Sequence, residues 1–321
     1  MIHKALMLFV ASLLLTLLAT IASAQNQKRS TALNAQPDAG LQSLVNEAAQ
    51  AALSKFKDKN FQESNLAITL INLTDPQHPT RASFRGAEGI YPASVVKLFY
   101  LVMAHHLLEE GKIKETDELR RAIKDMIVDS SNDATGYVLD VITGTSSGPE
   151  LTGAELKKWE EKRNAVNRYF ASLGFTGINT NQKTYCEGPY GREQLFRGQK
   201  GENRNKLTTD AVARLLSEIA TGHAVTPERS AMMMQLLKRD YSGKSNDNDD
   251  QAHGFTAIAL EPGARLWSKA GWTSATRHDA AYIELPNGAH FVLVTFTTDH
   301  ATERDIIPTV ARVVIDGLSK K

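Results

Sequence analysis

The sequence predicts an α/β chain of the α+β kind: an antiparallel sheet built from both chain ends, flanked by helices, with an all-helical domain inserted between them. Three observations carry this reading. Strand-like runs fall at residues 65–73 and 81–84, and again at 265–270, 280–285 and 290–297. The stretch between them carries mostly helical periodicity. Amphipathic helical runs open and close the folded part, at 41–57 and 306–318. Strands gathered at the two ends bury their apolar faces most simply in one sheet, with helices covering it. The sheet domain is therefore expected over 41–90 and 255–321, and the helical domain over 91–254.

Each element has a local justification. In 41–57, Leu41, Leu44, Val45, Ala48, Ala52, Leu53 and Phe56 recur at helical spacing. The runs 65–73 and 81–84 are joined by a proline-bearing turn. The helix from Ser94 to about residue 110 is apolar nearly all round in its first half, so it should be buried on every side. Helices follow over 115–128 and 134–143, separated by the polar break Asp129-Ser130-Ser131-Asn132-Asp133. A further helix is expected over 154–173, stopping at Gly174, then a polar loop over 178–206. Helices over 208–219 and 227–238 and an acidic loop over 240–253 complete the insert. Asn287-Gly288 between the last two strands signals a tight hairpin.

The N-terminus reads as an export signal. His3 and Lys4 precede an apolar run from 5 to 21, and Ala22-Ser23-Ala24 follows as a small-residue cleavage site. Residues 25–40 read as a flexible leader, and the mature protein as periplasmic or secreted. Lysine plus arginine number 37 and aspartate plus glutamate 36, a balance that gives no reason to expect nucleic acid or an anionic membrane as partner. Cys186 is the only cysteine, so no internal disulfide is possible. No histidine, cysteine or carboxylate cluster has metal-ligand spacing, and no glycine-rich phosphate loop occurs, so neither metal nor cofactor is expected. His105, His106 and His278 read as packed or capping residues.

Three short motifs carry the chemistry. Ser-x-x-Lys occurs twice. Ser54 and Lys57 lie late in the first amphipathic helix beside Lys55 and Lys59, a solvated face. Ser94 and Lys97 instead open the apolar helix. Residues three apart share a helix face, so Lys97 can reach the Ser94 hydroxyl. A lysine among apolar neighbours loses solvation in its charged form, its pKa falls, and the neutral amine can take the serine proton. Helix-opening N–H groups can meet an oxyanion. The second motif, Ser130-Ser131-Asn132, places a proton-relaying hydroxyl and a substrate-orienting amide on a loop tip. The third, Ser268-Lys269-Ala270-Gly271-Trp272-Thr273, brings positive charge, a glycine permitting close approach, and the Trp272 N–H as a second oxyanion donor. Taken singly, the three also fit a capping serine with a snorkelling lysine, a helix cap, and an ordinary strand exit.

In this order, with a hairpin and helix after the third, the motifs resemble those of the serine penicillin-recognising enzymes, and most nearly class A β-lactamases. The resemblance extends to Leu173-Gly174-Phe175, Thr208-Thr209 and Leu260-Glu261-Pro262-Gly263. It implies a β-lactamase-like fold with Ser94 at the domain interface and acylated, Lys97 as base or relay, and Ser130 as proton donor to the leaving nitrogen. Asn132 would contact the substrate amide, Lys269 would be an electrostatic anchor, and Arg277 would grip the substrate carboxylate. The sequence departs from the pattern at Ser131, usually aspartate, and at Ala270, usually a hydroxyl residue. The family's deacylating glutamate, in an E-x-x-L-N setting, is not found. Glu193 in Arg192-Glu193-Gln194-Leu195 is nearest, with Glu187 and Glu202 as other loop carboxylates. The resemblance implies a monomeric serine hydrolase of penicillin- and cephalosporin-type antibiotics, conferring resistance. The alternatives are a DD-peptidase-like penicillin binder or esterase or amidase with slow deacylation, acting on cell-wall peptide or another ester or amide, and a catalytically impaired binding module.

Overall fold

The structure, a computed structural model, describes residues 33–247 and 249–320. The expected signal segment and residues 25–32 of the leader lie outside the described residues. In chain order come β1 (Gln36–Pro37), α1 (Ala39–Lys55), β2 (Leu66–Asn72) and β3 (Thr80–Phe84). A 3-10 turn (Ala93–Val96) leads into α2 (Lys97–Glu109), α3 (Asp117–Ile127), α4 (Asn132–Thr143), α5 (Gly153–Arg163) and α6 (Ala165–Ser172). Then follow α7 (Gly191–Arg197), α8 (Thr209–Ala220), α9 (Pro227–Leu237), β4 (Lys238–Arg239), β5 (Arg265–Trp272), β6 (Thr276–Glu284), β7 (His290–Thr298) and α10 (Ile306–Ser319).

The strands form one sheet in the order β1-β3-β2-β7-β6-β5-β4. Among the described residues only the short β1–β3 pairing is parallel. β2 from the N-terminal part pairs with β7 from the C-terminal part over seven register positions, so the sheet does join the two chain ends. The unbroken apolar run 291–294 of β7 shows why it is buried on both faces. Phe291 and Leu293 pack against α1 and α10, whereas Val292, Val294 and Phe296 join the core under the helical body. That second core contains the whole apolar girth of α2, with Leu98, Phe99, Tyr100 and Leu101 fully buried.

The structure corrects several boundaries. The leader expected to reach 40 contains regular structure: Ala35 joins the core, β1 pairs with β3, and Asp38 caps α1 by accepting the Leu41 N–H at 2.7 Å. Ser94 lies in the 3-10 turn and not on the α-helix itself. The single helix expected over 154–173 breaks at Asn164, whose Oδ1 is held by the amides of Asn167 and Asn181. The polar stretch 178–206 contains α7. β4, an edge strand of the sheet, comes from the end of a segment expected to be helical and pairs with Leu266 and Trp267.

Candidate active site

Ser94 is half-buried at the head of α2, where the chain turns sharply. Ala93 has φ of 46°, a left-handed value for a residue with a side chain. Two devices hold the approach. Ile90 pairs with Leu207, and the His278 ring lies under the Tyr91 carbonyl. Across from the turn runs β5. A Cβ added at Gly271 would stand 2.7 Å from Ser94 N and 2.8 Å from both Pro92 O and Val95 N. Only glycine lets the strand press against the turn this closely.

Beyond Trp267, the edge of β5 that faces away from β6 opens toward Ser94. Ser268 O meets the Arg239 guanidinium there, and Ala270 N–H meets Gln251. Backbone groups of alternate residues point to the same edge of an antiparallel strand. The Trp272 N–H, two residues on from Ala270, therefore points to the edge that Ser94 lies against. Thr273 closes the β5–β6 turn, its Oγ1 accepting from Ala275 N and Thr276 N at 3.1 Å each.

Lys97 has no solvent exposure. Its Nζ donates to Ser130 O at 2.5 Å and Asn132 Oδ1 at 2.9 Å, and lies 3.2 Å from Ser130 Oγ. Burial pushes its pKa down to about 7, and the neighbouring Cys186 thiol draws it slightly back. Ser130, at φ 56°, presents its hydroxyl to a second amine, Lys269 Nζ, at 2.9 Å. Lys269 is also fully buried, and burial first and Lys97 second hold its pKa well below the usual lysine range. Ser131 stands aside from this cluster and caps α4, accepting the Ala134 N–H at 3.2 Å. Sequence motifs far apart in the chain thus converge around one hydroxyl.

A sequence model of the β-lactamase enzyme family matches residues 46–318, most of the chain and all of this cluster. The chain belongs to the β-lactamase enzyme family. Membership makes it a serine β-lactamase-like hydrolase acting on a cyclic amide. Among solved structures, PBP-A is similar at 17% identity and a TM-score of 0.61, covering 89% of this chain and 98% of that one. A β-lactamase from Chitinophaga pinensis matches at 16% identity and a TM-score of 0.62, covering 84% and 98%. A variant of the last common ancestor of Gram-negative class A β-lactamases matches at 18% identity and a TM-score of 0.61, covering 87% and 99%. At such identities the likeness establishes the shared fold.

The loop carboxylates of this β-lactamase-family chain separate sharply. Glu187 is exposed. Glu193, expected on a loop, stands on α7 with no solvent exposure. Its Oε1 accepts from Arg163 at 2.6 Å and Ser147 at 2.9 Å, and its Oε2 accepts from Tyr185 at 2.8 Å. Lys183 lies 3.7 Å away and bridges to Asp140. Lys97 is not among its partners. Glu193 is the countercharge of a buried network that ties α4, α5 and α7 to the segment carrying Tyr185 and Cys186.

Arg277 is 3% exposed, stacked 3.8 Å over Phe255, and engaged at 2.6 Å by Asp249. Four residues at the site were not singled out as part of it from sequence. Cys186 places its sulfur 3.8 Å from Asn132 Nδ2. Arg239 threads its guanidinium between Ser268 O and Ile127 O, buried, with its pKa pressed down to about 10. Asp249 and Gln251 reach in from the polar loop. A polar loop carries no periodic signal of what it will cover, and a lone cysteine in a polar stretch reads as surface. Among the described residues, no group of three or more metal-ligating side chains comes together.

Proposed function

We propose that this chain opens the β-lactam amide of penicillin- and cephalosporin-type compounds through an acyl-enzyme on Ser94, as an exported class A-like hydrolase. The observation that supports this best is the pair of buried amines on either side of the Ser130 hydroxyl. Lys97, its ammonium form losing its proton around pH 7, takes the proton from Ser94 Oγ in its neutral form as that oxygen bonds to the amide carbonyl carbon. The N–H groups of Ser94 and Trp272 stabilise the resulting oxyanion. As the C–N bond breaks, Ser130 gives its proton to the leaving nitrogen and recovers one from the lysine ammonium. Asn132 orients the substrate's amide arm, and Lys269 and Arg277 flank the end of the site where penicillins carry their carboxylate. The small-residue site Ala22-Ser23-Ala24 after the apolar run supports release of the mature chain outside the cytoplasm, as a monomer.

One observation favours a second reading of the later half-reaction. Both Glu193 oxygens are committed to the buried network, which leaves the hydrolytic water without that base. The acyl group would then persist, as in a penicillin-binding peptidase or a slow esterase or amidase. A point mutant of PBP-A has itself been captured as an acyl-enzyme with penicillin G. Chromogenic cephalosporin turnover, with intact mass after penicillin, separates the readings. Steady hydrolysis lost in Ser94→Ala supports the hydrolase, and a stable Ser94 adduct without turnover supports the penicillin binder. The absence of both adduct and turnover refutes the acyl-enzyme reading and leaves a binding module.

A further inference from the structure

The cationic side chains beside Gly271 are held by oxygens from one short stretch of this chain. Gln251 Oε1 accepts from Lys269 Nζ at 2.5 Å and from Ala270 N at 3.1 Å. Its amide nitrogen is anchored to the carbonyls of Ile127 and Val128, at 3.4 and 3.0 Å, so the side chain is fixed at both ends. Two residues earlier, Asp249 Oδ1 takes Arg277 Nη1 at 2.6 Å and Oδ2 takes Arg304 Nη2 at 3.3 Å. Asp249, Arg277 and Arg304 line a cavity of about 330 Å³ together with Trp272, Thr273 and Ser274. This cavity begins one residue past the glycine that abuts Ser94.

We propose that Asp249 and Gln251 are specificity-determining residues: they occupy Arg277 and Lys269 as a built-in carboxylate and carboxamide, so that the site favours acyl donors uncharged at that end. The proposal rests on the acyl-enzyme reading of Ser94. A substrate carboxylate arriving at Arg277 meets the Asp249 carboxylate in a partly desolvated pocket, where like charges repel strongly. It must share the guanidinium with Asp249, which already holds Nη1. A neutral ester or amide needs no such share. Gln251 joins Ser130 Oγ and Ala270 O as the third acceptor on Lys269 Nζ, which leaves that amine with less to give an incoming anion.

The test compares acylation of Ser94 by benzylpenicillin and by its methyl ester, followed by intact mass, in the wild-type chain, Asp249→Asn and Gln251→Ala. The wild type is expected to acylate at least as fast with the ester as with the acid. Asp249→Asn is expected to shift the acid-to-ester rate ratio toward the acid by roughly tenfold, the effect of removing a like-charge contact. Gln251→Ala shifts it the same way by a smaller factor, and Asp249→Glu keeps the wild-type ratio. An unchanged ratio in Asp249→Asn, or a wild type that strongly prefers the acid and loses that preference in the variant, overturns the proposal. Asp249→Ser replaces Asn if that chain does not fold.

A second readout does not need acylation. Acetate titrated into Asp249→Asn should perturb the fluorescence of Trp272, with Trp272→Phe in the same background abolishing the signal. The wild type should require roughly tenfold more acetate, again the size of one like-charge contact. Equal responses in the two chains overturn the proposal. If neither penicillin nor its ester labels Ser94, the acyl-enzyme reading falls and the acetate comparison still decides the role of Asp249.

Discussion

Arg163 and Glu193 form an ion pair in which neither side chain touches solvent, with Arg163 Nη2 2.6 Å from Glu193 Oε1. The Arg163 guanidinium also lies 4.7 Å from the centre of the Trp159 ring and reaches Asp140 at 3.0 Å. Breaking a buried pair by removing one partner leaves the other charge uncompensated and costs about 3–5 kcal/mol. Glu193→Gln is therefore expected to lower the urea midpoint substantially. If Glu193 acts only as a countercharge, the substitution leaves the ratio of acylation to deacylation rates near that of the wild type. Urea unfolding and intact-mass kinetics on the same preparation check both. Accumulation of acyl-enzyme in Glu193→Gln alone would restore Glu193 as the deacylating base.

Lys97 makes a prediction about pH. The amine must be neutral to take the Ser94 proton, so the acylation rate should rise as pH increases through about 7 and then level off. Lys97→Met should lower it by roughly 10²- to 10⁴-fold, the usual contribution of a positioned base. Stability moves differently. In the unfolded chain lysine keeps its proton up to its ordinary pKa of 10.5, so between pH 7 and 10.5 the unfolded state binds the extra proton. Wild-type stability should therefore rise with pH across that window, and Lys97→Met should have a shallower slope, keeping only the part that buried Lys269 contributes. Stopped-flow acylation rates and urea midpoints at several pH values read the two effects separately.

The sheet and the three motifs are legible in the sequence because they rest on short-range rules. The apolar run of β7 and the Asn287-Gly288 turn before it mark a buried hairpin strand, and the three-residue spacing of Ser94 and Lys97 places them one helical turn apart. What is hidden depends on partners far along the chain. Glu193 sits between Gly191 and Gly198, so its seven-residue helix reads as loop, and its burial depends on Arg163 thirty positions earlier. Asn164 breaks a helix that its local propensity would continue, because Asn181 hydrogen-bonds to it from the next segment. Gln251 looks like any loop glutamine until β5 is laid beside it.

His278 predicts an acid-sensitive brace. The ring is fully buried against Phe296, Nε2–H donates to Tyr91 O at 2.9 Å, and Nδ1 accepts the Thr297 N–H at 3.1 Å. Only the neutral imidazole can make both bonds, and burial lowers its pKa to about 4. The unfolded histidine takes up its proton below about 6.5. The brace is thus fully effective above that pH, and its contribution falls as pH drops from 6.5 toward 4. At 1.36 kcal/mol per pH unit, it should lose roughly 2 kcal/mol between pH 6.5 and 5. His278→Phe should therefore destabilise the chain more at pH 7.5 than at pH 5, and denaturant melts at both values check it. Equal losses at both pH values would exclude the proton linkage.

Gly271 tests how closely β5 must approach the nucleophile. The three atoms nearest a new Cβ are all backbone atoms of the Ser94 turn, at 2.7 to 2.8 Å, so no side chain can swing aside to make room. Either the strand or the turn must move by several tenths of an ångström. The sheet is held by β6 along the whole length of β5, whereas the turn already carries a left-handed alanine, so the turn should yield. Overpacking of this kind costs about 1–3 kcal/mol. The displaced Ser94 N–H is the donor assigned to the oxyanion, and misplacing one such donor lowers the rate by about 10²- to 10³-fold. Gly271→Ala should therefore fold, with a modestly lower Tm, yet acylate with benzylpenicillin at least about a hundredfold more slowly. A variant that unfolds would leave no such split between stability and rate, and one that acylates at the wild-type rate would show that the contact between β5 and Ser94 has no part in forming the oxyanion site.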